Sequence, residues 1–140
     1  MNKIYILVSN YQNMNKSTIY STITGTIVYF ALGWLFYGIL FTDLYPSNKE
    51  DAMQLILLGS LFYVLVFSLI YSQWAAISTF KTGAKVGLIL GVVFAISMNS
   101  FYAASNGFNI EHFLTDVFIG AVSTAIMGGV VGLTIGKTKK

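Results

Sequence analysis

The residues that could do chemistry sit close together in the last third of the chain. His112 and Asp116 are four residues apart, one turn of a helix, and Glu111 is beside the histidine. Asn99 lies a short distance upstream, and Tyr37 falls in an earlier aromatic run, Gly33-Trp34-Leu35-Phe36-Tyr37-Gly38. A carboxylate inside an apolar stretch invites two readings. In the first, Asp116 sits near a membrane boundary, where a charge costs less than at the centre, and is held by Asn99, Thr115 or His112. In the second, it is a proton- or cation-binding group facing a small cavity with Asn99 and Tyr37. His112 with two acids could also suggest a metal ligand. One histidine in a loop is a weak basis for that, so we expect a solvated side chain and no metal. No serine, histidine and aspartate arrangement, no phosphate-cradling glycine loop before Lys-Ser/Thr and no haem-type pattern is present. No cofactor and no enzymatic activity are therefore expected.

The elements that position these residues follow from two rows of small side chains. His112, Asp116, Gly120, Thr124, Gly128, Gly132 and Gly136 recur every fourth position, and so do Gly83, Gly87, Gly91, Ala95, Asn99 and Ala103. Each row runs through an apolar stretch and into a polar side chain. Small residues in membrane helices let backbones approach, and packing then supplies the attraction that lipid does not. Two consecutive helices with such rows should be antiparallel neighbours that put Asn99 and Asp116 at similar depth. A row spaced by four drifts about 40° per step, so the contact is expected at Gly87, Gly91, Gly128 and Gly132 rather than at the row ends. The same rows could instead join two copies as a homodimer.

The composition agrees with a membrane setting. The 140 residues are 56% hydrophobic and 9% charged, against about a quarter charged in soluble domains. Cysteine is absent, which excludes disulfides and thiolate sites. All eight basic residues are lysine. Without arginine there is no bidentate clamp for phosphate, so no nucleic-acid partner is expected.

Four spans are predicted, at about 19–41, 53–77, 83–104 and 113–136, forming one domain over 18–140 behind a polar segment at 1–17. The opening Met1-Asn2-Lys3 recurs as Met14-Asn15-Lys16, which marks Met14 as an alternative start; an intact mass of the native protein decides between the two. The first span is rich in Thr and Ile and then aromatic between Gly33 and Gly38, read as an interfacial belt with close packing, or as the wall of a cavity. Ser47 and Glu50 form a capping box for a second helix beginning near Asn48 and ending near Ile77, with Ser60, Ser68, Ser72 and Ala76 on one row. A link at 78–82 leads to the third span, Asn106-Gly107 makes a turn, and Asn109 caps the fourth. Seven lysines lie in the amino-terminal segment, the second connection and the tail; all five acids lie around the other two connections, with Lys49 alone. By the positive-inside rule both termini are cytoplasmic.

The motifs Leu32-Gly33-Trp34-Leu35-Phe36-Tyr37-Gly38, Thr82-Gly83-Ala84 with Gly87 and Gly91, and Thr115-Asp116 followed by Met127-Gly128-Gly129 carry a family resemblance. From Gly25 onward the chain resembles the small bacterial four-helix membrane proteins grouped as a domain of unknown function (1761 type). That resemblance implies an integral protein of the bacterial inner membrane and no particular activity. The expectation is an all-α, antiparallel four-helix bundle in lipid. It would act as a structural or accessory protein or, alternatively, as a small proton- or cation-linked transporter or channel using Asp116.

Overall fold

The computed structural model describes residues 2–41 and 52–138, without the side chains of residues 6–15 and 52. The loop lysine, the proline and the Ser47/Glu50 capping box lie outside the described residues. The fold is all-α. Its helices are α1 (Asn2–Leu35), α2 (Ala52–Leu69), α3 (Phe80–Asn106) and α4 (Ile110–Thr138). The four stretches Lys16–Leu40, Met53–Trp74, Phe80–Asn106 and Ile110–Thr138 are long and apolar enough to cross a membrane, which fits a multi-pass membrane protein. Large apolar side chains face outward on every helix, among them Ile27, Leu55, Val93 and Leu114, at 58–71% exposure. Water would penalise such a surface and hydrocarbon does not.

Several boundaries differ from those expected. α1 continues from Asn2 through Met14 into the first span without a break, so the polar segment is helical and belongs to the same element. α2 passes into a π-helical turn, Ile70–Trp74, whose ladder bond runs from Ala75 N–H to the Ile70 carbonyl (2.8 Å). The helix then stops, before Ile77. Ala76 takes the left-handed conformation (φ 50°) and Ile77 N–H bonds back to the Tyr71 carbonyl at 3.0 Å. This is a Schellman-type ending, with alanine where glycine is usual. Ala76 is thus outside the helix, exposed, and off the small row, whereas Ser60, Ser68 and Ser72 are buried on it. The link is 75–79, as long as expected but three residues earlier, because Thr79 caps α3 by accepting from Thr82 N–H (3.2 Å). At the other end the expectations hold. Gly107 closes α3 at φ 88° and Asn109 Oδ1 accepts from Glu111 N–H at 3.0 Å.

α4 is the central helix: 56% of its most apolar stretch is buried, against 22% or less in the other three. The two small rows pair with each other within one chain. A methyl on Gly83 would strike the Gly128 carbonyl oxygen, and one on Gly87 would strike that of Thr124. A methyl on Gly91 would lie 2.7 Å from Thr124 Cβ, and one on Gly120 2.9 Å from Ala95 Cβ. Gly132 lies against Thr79 and Gly136 against Ser78. The contact therefore extends past the four glycines expected and runs along both rows in opposite sequence directions, with α3 and α4 lying along each other's small stripe.

α1 packs on α4 and α2 through hydroxyls. Ser17, Thr18, Ser21, Thr22 and Thr26 are buried. Thr18 Oγ1 meets Ser72 Oγ at 2.8 Å, Thr24 Oγ1 meets Thr134 Oγ1 at 3.0 Å, and Thr138 Oγ1 donates to Ser17 Oγ at 3.0 Å. Thr22 and Thr26 donate to their own i−4 carbonyls at 2.6 Å, so these two buried hydroxyls are satisfied. Spacings of three and four among these hydroxyls were the available signal. Val64, Phe67, Tyr71, Ile77, Met127, Val131 and Ile135 form the apolar core between α2 and α4. Tyr71 is fully buried, and its hydroxyl donates to the Gly83 carbonyl at 2.8 Å. It thereby fastens α2 to the α3–α4 pair.

Candidate functional site

At the end of the bundle where α1 finishes and α4 begins, the sequence-selected residues come together. α1 passes into a second π-helical turn, Phe36–Leu40, with Phe41 N–H bonded to the Phe36 carbonyl at 2.8 Å. The widened turn carries Tyr37, and π-turns in helices are frequent at functional sites. The Tyr37 hydroxyl donates to Asp116 Oδ1 at 2.9 Å. On the other side of the carboxylate, His112 Nδ1 lies 3.8 Å from Oδ2, one helical turn back. Both side chains are mostly buried, at 21% and 18% exposure.

His112 is not the solvated loop residue expected. It lies in the first turn of α4, and its ring stacks on Tyr102 of α3 with centroids 5.3 Å apart and planes 9° from parallel. The α4 cap at Asn109 starts the helix early enough to bring the histidine onto the Asp116 face. The Asn99 side chain is buried, and its amide donates within α3 to the Ala95 carbonyl at 2.9 Å. Tyr37, which the sequence joined to the carboxylate only as a cavity neighbour, thus gives Asp116 a hydrogen bond from the first helix.

A cavity of about 220 Å³ opens beside this cluster. All four helices line it: Tyr29 and Tyr37 from α1 and its π-turn, Tyr63 from α2, Phe94, Met98 and Asn99 from α3, and Asp116 from α4. Gly91, Ala95 and Gly120 form its floor, so the small rows both join the helices and leave the space. Asn99 and Asp116 both line it. Tyr29 and Tyr63 stack with ring centroids 5.0 Å apart, and Phe94 meets the Tyr63 ring edge-on at 6.0 Å. The Tyr63 hydroxyl is 3.2 Å from Thr124 Oγ1, the threonine of the small row. Tyr29 and Tyr63 were not singled out from the sequence. Nothing in their local context distinguishes them from other membrane aromatics; only helix packing turns them inward together.

The rest of the aromatic run behaves differently. Trp34 is 56% exposed, with its ring against Gly38, and Gly33 has nothing within reach of an added methyl. Those two glycines make no close helix contact. Only Tyr37 of that run lines the cavity. A second space, of about 190 Å³, lies under the turn at Asn106, Gly107 and Phe108, with His112 on its wall. Among the described residues no three of His, Cys, Asp and Glu converge as a metal site would require. Comparison with protein-family models, with curated proteins and with solved structures finds no match.

Proposed function

We propose that the chain is a compact, four-span accessory or structural protein of the bacterial inner membrane, with antiparallel up-and-down helices and both termini cytoplasmic. The observation carrying the structural reading is the Tyr37–Asp116 hydrogen bond. That bond ties the end of the first helix to the start of the fourth. A polar group in a membrane bundle is retained where it pairs with a neighbouring helix. Lysine-rich connections at one end of the bundle and acidic ones at the other support the orientation. The absence of native cysteine gives a direct topology test. Lys137→Cys should be labelled only from the cytoplasmic side and Phe108→Cys only from outside; the reverse pattern rejects the orientation. We also propose kinship with the 1761-type family, on the motifs around Trp34, Gly83 and Asp116. The two small rows meet each other within one chain; a homodimer stays a proposal, read by the mass of the detergent-solubilised protein.

The structural reading is tested by a double-mutant cycle on Tyr37→Phe and Asp116→Ala, measured as reversible unfolding in mixed micelles. A favourable coupling of about 1 kcal/mol is expected, in the range of interhelical hydrogen bonds in membranes. Additive effects would reject it. A second reading, a small proton- or cation-linked transporter, is favoured by the cavity at Asp116. Its test is flux into proteoliposomes, which must be lost in Asp116→Asn while the variant remains folded.

A further inference from the structure

The cavity between the four helices has a wall chemistry that selects a class of ligand. Four aromatic rings, Tyr29, Tyr37, Tyr63 and Phe94, and the Met98 thioether make up most of its side-chain lining, and Asp116 supplies a carboxylate. No lysine lies on it. Ring faces carry negative electrostatic potential and attract a cation held within about 6 Å of the centroid, with quaternary ammonium groups as the usual beneficiaries. The Asp116 carboxylate lines the same space. A bare divalent ion is a poor fit. Calcium takes about six to eight oxygen ligands and magnesium an octahedral shell, whereas these walls are mainly carbon. The volume, about 220 Å³, lies below the roughly 300–1,000 Å³ of drug-sized sites, so the ligand is small.

From this juxtaposition we infer that the cavity is a binding site for a small organic cation of the methylated-ammonium class. Asp116 provides the counter-charge, and Tyr29, Tyr63 and Phe94 provide the aromatic wall. This deepens the second reading above and uses its cavity, but it requires binding only and no transport. The site is framed by close helix contacts at Gly91–Thr124 and Ala95–Gly120, so its shape is set before a ligand arrives, which limits the ordering that binding must impose.

The test uses the purified full-length chain in a non-ionic detergent. Thermal unfolding is followed against tetramethylammonium chloride, with sodium chloride at the same ionic strength as reference. Choline is then compared with 3,3-dimethyl-1-butanol, its uncharged isostere. We expect a saturable rise in the melting midpoint with tetramethylammonium and choline, and binding of the neutral alcohol about tenfold weaker or worse. Asp116→Asn, which keeps an acceptor for Tyr37, should weaken choline binding by about tenfold. Phe94→Leu should weaken it severalfold, and carries the test by itself if the Asp116 variant does not fold. No saturable shift over sodium chloride overturns the inference. So does equal binding of choline and its neutral isostere, or wild-type binding in the folded variants. Binding without flux would reject the transporter reading and leave the site standing. Flux without ammonium binding would do the reverse.

Discussion

The packing of α3 on α4 makes Gly128→Ala the sharpest test of the fold. A methyl on Gly128 would sit 2.5 Å from the Gly83 carbonyl oxygen, 2.9 Å from the Tyr71 hydroxyl and 3.1 Å from Gly87 Cα. A carbon needs about 3.3 Å from an oxygen even in the shortest favourable contacts, so the helices must part by roughly 0.8 Å. Two of the three obstructing atoms are backbone and cannot rotate away. Overpacking of this kind costs about 1–3 kcal/mol. Separation also thins dispersion along the whole row, since a gap of about 0.5–1 Å forfeits a quarter to a half of each contact. The Tyr71–Gly83 hydrogen bond is strained as well and adds about 1 kcal/mol. Against this, alanine is the better helix former by about 1 kcal/mol. The net expectation is a loss of about 2 kcal/mol. Gly33→Ala is the control, because nothing lies within 4 Å of the added methyl; it should be neutral or stabilising by up to about 1 kcal/mol. Both variants would be unfolded reversibly in mixed micelles by titration with a denaturing detergent. If Gly128→Ala proves as stable as Gly33→Ala, the α3–α4 contact described here is wrong.

Other positions give expectations of either sign. Ala76→Gly should stabilise by about 1 kcal/mol, because φ is 50° there and an L side chain resists that region; Gly107→Ala, at φ 88°, should destabilise by a similar amount or more. The same unfolding titration reads both, and two shifts of the same sign would contradict the assigned chain reversals. Ser68→Ala should be neutral or stabilising, since Ser68 Oγ is buried without a hydrogen-bond partner and an unpaired buried hydroxyl costs about 1–3 kcal/mol; a clear loss of stability would show an unseen partner. Thr18→Ala and Ser72→Ala should be coupled by about 0.6 kcal/mol across their 2.8 Å contact, and strictly additive effects would remove that bond. Asn109→Ala should cost about 1 kcal/mol through loss of the α4 cap, with Asn109→Ser restoring most of it.

The sequence alone determined the helical class, the number of apolar helices and the pairing of the third with the fourth. These follow from local composition and from spacing by four, which one helix face reports without knowledge of its partner. It also placed Asn109 as a cap and Asn106-Gly107 as a reversal, because both depend only on neighbouring backbone. Asp116 stood out because a carboxylate within an apolar run is expensive wherever the helix lies. What the sequence did not determine depends on side chains far apart in the chain. The hydroxyl stripe of α1 becomes an interface only when Ser72, Thr134 and Thr138 are brought to it. The π-turn carrying Tyr37 has no proline or glycine pair to announce it; Gly38 lies inside the turn, and a methyl there would meet the Trp34 ring first. Tyr29, Tyr63 and Phe94 are ordinary membrane aromatics until four helices converge. Whether a ring faces lipid or a cavity is set by how the helices rotate against one another, and that rotation is fixed by the glycine contacts of α3 and α4 together with the Tyr71 and Tyr37 hydrogen bonds. The candidate site is therefore a product of tertiary structure, assembled around a carboxylate that the sequence had already singled out.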